Sequence, residues 1–206
     1  MECRFCNGDK IQKEVLFETE NFFIVPALGS FIPYYLLIIS KKHTGSLSQI
    51  FAEDHSTVAE FTLIRQKIDN FINETYKKPS FCFEHGSLND NMLGSGCCVY
   101  HCHIHILPQE KPLGGIMRQQ LGACQTTSSY SDINNIISKD DNSYLFLEED
   151  SKIKIWRNKK VISQYIRRVL ANQCQLDKKY DWKQFPFYEE MQHTTEAWKK
   201  WQTKKV

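Results

Sequence analysis

Between Cys97 and Pro108 the chain reads Cys-Cys-Val-Tyr-His-Cys-His-Ile-His-Ile-Leu-Pro, with three histidines alternating with Cys102 and Ile104. Such alternation among β-branched and aromatic neighbours predicts a strand that Pro108 ends, its side chains divided between two faces. Cys102, Ile104 and Ile106 suit a core, so His101, His103 and His105 share the opposite face. Same-side neighbours lie roughly 6.5–7 Å apart at about 3.3 Å rise per residue, which sets the imidazoles in a row against one pocket. One histidine is more often a satisfied core residue than a catalyst. Three in register on a strand with an apolar back point to chemistry, and two kinds fit. One is a three-histidine catalytic metal site, to which His-x-His on a strand gives two ligands. The other is nucleophilic catalysis by one imidazole, with its neighbours contacting a charged group of the substrate. The pattern alone leaves both open.

The segments around this strand supply a sheet and its cover. Glu14–Thr19 and Asn21–Pro26 pair as a hairpin across Glu18-Thr19-Glu20, and the nearly all-apolar Tyr34–Ser40 suits a central strand buried on both faces. Apolar residues at Val58, Phe61, Ile64, Ile68, Phe71, Ile72 and Tyr76 predict one amphipathic helix over Glu53–Lys78, ended by Pro79. A strand follows over Ser80–Glu84, then His85-Gly86 and a polar loop through Gly94-Ser95-Gly96, whose backbone N–H groups could face phosphate oxygens. Gly114–Asn142 reads as loop with a short helix at Asp132–Ser138, N-capped by Ser131. Tyr144–Glu148 and Lys152–Trp156 form a hairpin around Glu149-Asp150-Ser151, and Val161–Asn172 a helix. The tail ends in an amphipathic helix bearing Trp198 and Trp201, which packs over the core or forms a dimer contact.

A chain of 206 residues, 41% hydrophobic, can bury a real core as one domain or as a domain with an extension. A net charge of +2 argues for no polyanion-binding surface. No apolar run approaches the roughly 18–20 residues that span a bilayer, so no membrane partner is expected. The opening Met-Glu-Cys-Arg-Phe-Cys-Asn-Gly-Asp carries no apolar signal segment. Eight cysteines in that setting favour reduced thiols and metal binding, with the cytoplasm as the expected location. Cys3-Arg4-Phe5-Cys6 is by itself either half of a tetrahedral zinc site or a redox dithiol.

His101-Cys102-His103-Ile104-His105-Ile106-Leu107-Pro108 resembles the histidine-triad (HIT) signature, His-x-His-x-His followed by two apolar residues. The resemblance implies an α+β fold, a HIT-like antiparallel sheet with one main helix. It places a catalytic core in residues 1–113 and a C-terminal α/β extension packed on it in 114–206. It implies a nucleotide hydrolase or nucleotidyl transferase whose middle histidine, His103, attacks an α-phosphorus, on an adenine dinucleoside polyphosphate or another nucleotidylated substrate. His105 and His85 would stabilise the phosphoryl oxygens, and His101 would orient His103 or bind zinc. Zinc-bearing members match Cys3, Cys6, His43 and His101 as a structural site, and no catalytic cofactor is required. Phe83-Glu84-His85-Gly86 and the Ser-Gln helix look like one branch of the superfamily, which adds Glu84, His85, Gly96, Ser163, Gln164 and Arg167 as substrate contacts. Arg167 suits bidentate phosphate recognition.

Two departures stand out. Pro33-Tyr34-Tyr35 replaces a usual Gly-His pair, and Cys97-Cys98 replaces a polar pair that contacts the α-phosphate in relatives. The expected partner is a nucleotide or nucleotidylated small molecule, a nucleic-acid end being less favoured, with a homodimer allowed. The competing expectations are a non-catalytic nucleotide sensor and a metal-dependent hydrolase with three histidine ligands.

Overall fold

Leu36–Ser40 (β3) is buried at every residue, as a strand covered on both sides must be. The computed structural model describes residues 3–6, 13–90 and 96–204; Gly94 and Ser95 of the expected polar loop lie outside them. The other strands are Phe17–Glu18 (β1), Phe22–Pro26 (β2), Ser80–Ser87 (β4), His103–Pro108 (β5), Gln125–Thr127 (β6), Ser143–Glu149 (β7) and Lys152–Arg157 (β8). They form one eight-stranded sheet in the order β1-β2-β3-β5-β4-β7-β8-β6, with every paired neighbour antiparallel. The fold is therefore the expected α+β arrangement, and strands from 114–206 continue the sheet because β7 pairs with β4.

Register divides the sheet into two faces. Ile38 opposite Ile104 and Cys82 opposite Ile106 lie on one; Leu37 and Phe83 opposite His105, and Ile39 opposite His103, lie on the other. Helices cover both. On the first face lie Leu47–Glu53 (α1), Thr57–Tyr76 (α2), Ile133–Ile136 (α4) and Tyr188–Thr203 (α6), joined in one core with Ile38, Ile104 and Ile106. On the second, Gly114–Leu121 (α3) and Tyr165–Gln173 (α5) bury Met117, Ile166, Val169 and Leu170 against Leu37, Phe83 and Leu147.

Several expected boundaries move for local reasons. The helix expected over Glu53–Lys78 is α2 and starts later: a separate, unexpected helix, α1, ends at Glu53, and Asp54, with φ −140°, turns its carboxylate to accept the Ser56 N–H at 2.9 Å before α2 begins. α2 stops at Tyr76 because Lys77 turns left-handed (φ +60°) two residues before Pro79. In 114–142, α3 and β6 stand where loop was expected. Ser131 does not cap α4: the N-cap there is Asp132, with no side-chain bond, and Ser129 caps the preceding 3-10 turn, its hydroxyl accepting the Ser131 N–H. α5 begins at Tyr165 instead of Val161, since Gln164 adopts φ +60°.

The tail packs on the core. Trp198 is fully buried, and its ring and that of Trp201 meet Phe71 at 4.9 and 5.5 Å. Trp198→Ala should cost about 3–5 kcal/mol, read from the urea midpoint at unchanged slope; a shift below a quarter of that would show the tail to be peripheral. No helix among the described residues is long and apolar enough to cross a membrane.

Candidate active site

Residues 97–102 do not extend the histidine strand, which starts at His103. Instead the Cys102 N–H donates to the Thr44 carbonyl at 2.5 Å, and His101 turns toward the Cys3–Cys6 segment. The three imidazoles therefore do not line one pocket. His103 and His105 do, joined by His85; His101 is placed outside that wall.

The tautomers of His103 and His85 follow from their partners, because a backbone carbonyl can only accept and a backbone N–H only donate. His103 Nδ1–H donates to the His101 carbonyl at 2.6 Å, so Nε2 keeps its lone pair. His85 Nε2 accepts the Ile166 N–H at 3.3 Å, at the start of α5. His105 stacks on Phe83 (4.5 Å between centroids, 11° between planes), and its Nδ1 lies 2.8 Å from the Tyr35 hydroxyl. Burial pulls the pKa of His103 down to about 4 and that of His85 to about 3, with neighbouring positive groups adding to the effect. Both rings are neutral at physiological pH.

The cavity wall is apolar at Val25, Leu28 and Leu37 and polar toward the histidines, where Gln164, Arg167, Cys97 and Cys98 face it. Gln164 is 8% exposed, and its Oε1 has no hydrogen-bond partner among the described residues. Arg167 is anchored by donating Nε to the Tyr180 carbonyl (2.9 Å) and Nη2 to the Gly29 carbonyl (2.7 Å). Gly29 sits at φ +78°, and a Cβ there would come within 2.4 Å of the Trp182 Cβ, so glycine alone allows this approach. Gly96, at φ +76°, packs against His85 and accepts the Gln164 N–H through its carbonyl at 2.9 Å. Burial pushes the Cys97 thiol up to about 12, and it donates to the Val99 carbonyl.

Two expected contacts fall elsewhere. Ser163 is exposed and does not line the cavity; its carbonyl accepts from Arg168 Nε at 2.8 Å. Glu84 is on the face of β4 opposite His85, where its carboxylate accepts the Leu47 N–H (2.8 Å) and the Tyr144 hydroxyl, fixing the start of α1. Strand alternation separates the two neighbours. Burial lifts Glu84 to about 7, so the native state holds this proton more tightly than the unfolded chain. Stability then falls as pH rises from about 4.3 to about 7, by up to about 3 kcal/mol. Glu84→Gln should flatten that slope in unfolding measurements across this window; an unchanged slope would show that Glu84 does not titrate there.

Cys3, Cys6, His43 and His101 come together, with one ligand atom from each within 4.8 Å of the others. His101 Nδ1 is 3.4 Å from Cys3 Sγ, 3.6 Å from Cys6 Sγ and 3.2 Å from His43 Nδ1, and Cys6 Sγ is 3.1 Å from His43 Nδ1. A tetrahedral zinc with these donors gives ligand separations of about 3.3–3.8 Å. His101 Nε2–H donates to the Ser40 carbonyl at 2.7 Å, leaving Nδ1 bare toward the other three. That carbonyl is the outer partner a metal-binding imidazole needs, and the residues fit a metal ion.

The sequence reading missed Tyr35, Arg4, Phe5, Glu14 and Trp182. Arg4, Phe5, Glu14 and Trp182 line the cavity, and Phe5 lies against His103 with ring centroids 5.4 Å apart. For Arg4 and Phe5 the available signal was their place inside the Cys-x-x-Cys turn.

A sheet strand carrying His-x-His into a cavity, with a third histidine one step earlier, defines a histidine-triad site. The chain belongs to the histidine-triad superfamily: the family model described as scavenger mRNA decapping enzyme C-term binding matches residues 2–120, more than half of it. It is 32% identical over 99 residues to an uncharacterized HIT-like protein of Chlamydia trachomatis, covering 47% of this chain and 81% of the relative. A second uncharacterized HIT-like protein, of Chlamydia muridarum, is 31% identical over 99 residues, covering 47% of this chain and 71% of the relative. Among solved structures, a hypothetical histidine triad nucleotide-binding protein from Sulfolobus tokodaii aligns with a TM-score of 0.41 at 21% identity, over 53% of this chain and 71% of that one. A histidine triad protein from Clostridium difficile aligns with a TM-score of 0.40 at 24% identity, over 54% of this chain and 96% of that one.

Proposed function

We propose that this protein is a nucleotide hydrolase or nucleotidyl transferase acting at the α-phosphorus, with His103 as its nucleophile. The observation that carries this reading is the 2.6 Å hydrogen bond from His103 Nδ1–H to the His101 carbonyl, which leaves Nε2 as a bare lone pair on a cavity-lining ring. Nε2 attacks phosphorus, the P–O bond to the leaving group breaks, and that oxygen departs with the electron pair. Water or another acceptor then forms a new P–O bond, the P–N pair returns to Nε2, and a water-derived proton is released.

His105, His85, Gln164 and Arg167 surround the reacting group, and oriented donors of this kind supply the main stabilisation in phosphoryl transfer. We read residues 1–113 as the source of the nucleophile and metal ligands, and 114–206 as the segment that closes the cavity with Gln164, Arg167 and Trp182. Zinc at Cys3, Cys6, His43 and His101 is structural in this reading, and the thiol-rich sequence supports a cytoplasmic location. An adenine dinucleoside polyphosphate is the first substrate to test. The family description, which names scavenger mRNA decapping, adds a cap-like dinucleotide to the same panel.

The test is mass spectrometry of digests kept away from acid, after brief mixing with the panel. A nucleoside monophosphate added to the peptide containing His103 is the expected result; turnover with no adduct on any substrate would argue for direct attack by water, and binding without turnover for a sensor.

A further inference from the structure

Tyr35, within the Pro33-Tyr34-Tyr35 stretch that stands where a Gly-His pair is usual, contacts His105, one of the cavity histidines. It is fully buried, its hydroxyl is 2.8 Å from His105 Nδ1, and its ring meets that imidazole at 5.7 Å. A phenol can donate or accept in such a bond. Its surroundings decide which. The Arg167 guanidinium carbon lies 5.4 Å from the Tyr35 ring centre and 5.0 Å from that of Phe31. Arg167 is held there by the Gly29 and Tyr180 carbonyls. A fixed positive charge draws the phenol's lone pairs toward itself and turns the O–H away, toward His105 Nδ1.

The geometry points to Tyr35 as a positioning residue that, under Arg167, fixes His105 as the Nε2–H tautomer. This rests on the phosphorus chemistry given above only for its catalytic consequence; the tautomer itself does not depend on it. His103 and His105, with ring centroids 5.1 Å apart, then hold opposite tautomers. His103 presents a bare Nε2 to phosphorus. His105 presents an Nε2–H to a phosphoryl oxygen that gains charge as the bond to His103 forms, by hydrogen bonding and with no proton transferred. Were Tyr35 to accept instead, His105 would turn a second lone pair toward the phosphate and repel it. Phe83, stacked on His105, keeps the ring from swinging out of this geometry.

The experiment is nitrogen-15 NMR of the His105 ring in the whole protein, compared with Tyr35→Phe, alongside kinetics on adenylated substrate. In the parent the proton should sit on Nε2, with Nδ1 giving the bare-nitrogen signal. In Tyr35→Phe the ring should become a mixture of tautomers. kcat should fall about tenfold or more, the cost of one mis-set donor, while KM stays within about twofold. A purely structural role would lower the melting temperature and raise KM without changing the tautomer. A parent His105 protonated on Nδ1 overturns the proposal, as does a Tyr35→Phe protein with unaltered tautomer and kcat. Should the parent turn over no nucleotide while His105 carries its proton on Nε2, the assignment of Tyr35 stands and the nucleophile assignment falls. Arg167→Gln supplies the second variant: it removes the charge that orients the phenol, and the same tautomer mixture is expected.

Discussion

His103→Ala should lose turnover of nucleotidylated substrates by about 10⁴-fold or more, the scale seen when a covalent nucleophile is removed. The fold should survive. His103 lines the cavity on a strand whose opposite face carries the packing, with Ile104 and Ile106 fully buried in the core beneath α2, as is Cys102 just before the strand. Its side chain meets the His101 carbonyl and the Phe5 and His105 rings, none of them part of the core on the other face, so its loss leaves the sheet register and the four candidate metal ligands in place. Melting temperature and metal content measured on the same preparation separate loss of chemistry from loss of structure. Full activity in the variant would remove His103 from the mechanism.

Cys6→Ser should leave a protein that binds no zinc and melts about 10 °C lower. A metal ion bound at a thousand times its dissociation constant stabilises by about 4 kcal/mol, and each kcal/mol moves the midpoint of a chain this long by about 2–4 °C. Cys6 is exposed, so the substitution itself opens no cavity, and the loss reports the metal. The effect should reach the active site, because His101 belongs to both: its Nδ1 faces Cys3, Cys6 and His43, and its carbonyl fixes the His103 proton. Calorimetry with elemental analysis checks this. Equal melting temperatures and equal zinc in parent and variant would contradict the site.

Much of this was legible in the residues, for physical reasons. A buried strand such as Leu36–Ser40 announces itself by an apolar run, and α2 by its helical spacing. The register of His103 and His105 on one face followed from the period of two. His101 did not follow, because a turn toward the Cys3–Cys6 segment overrides alternation just before the strand. Glu84 was misplaced for the opposite reason: its position beside His85 in sequence is a position on the other face in a strand. α3 was missed because it opens on Gly114-Gly115, poor helix formers, and β6 because three residues are too few to show a period even with Thr126 and Thr127 favouring a strand; tertiary contacts to Trp156 and β8 hold them. Trp182 and Glu14 are brought to the cavity, and Tyr35 to His105, by chain crossings that no local pattern encodes.

The most direct measurement of the central claim is the stereochemistry at phosphorus. A substrate chiral at the α-phosphorus through sulfur substitution, hydrolysed in oxygen-18 water, should yield product with retained configuration, since two in-line displacements through His103 invert it twice. Inverted configuration would show that water attacks phosphorus in one step and that no bond to this histidine ever forms.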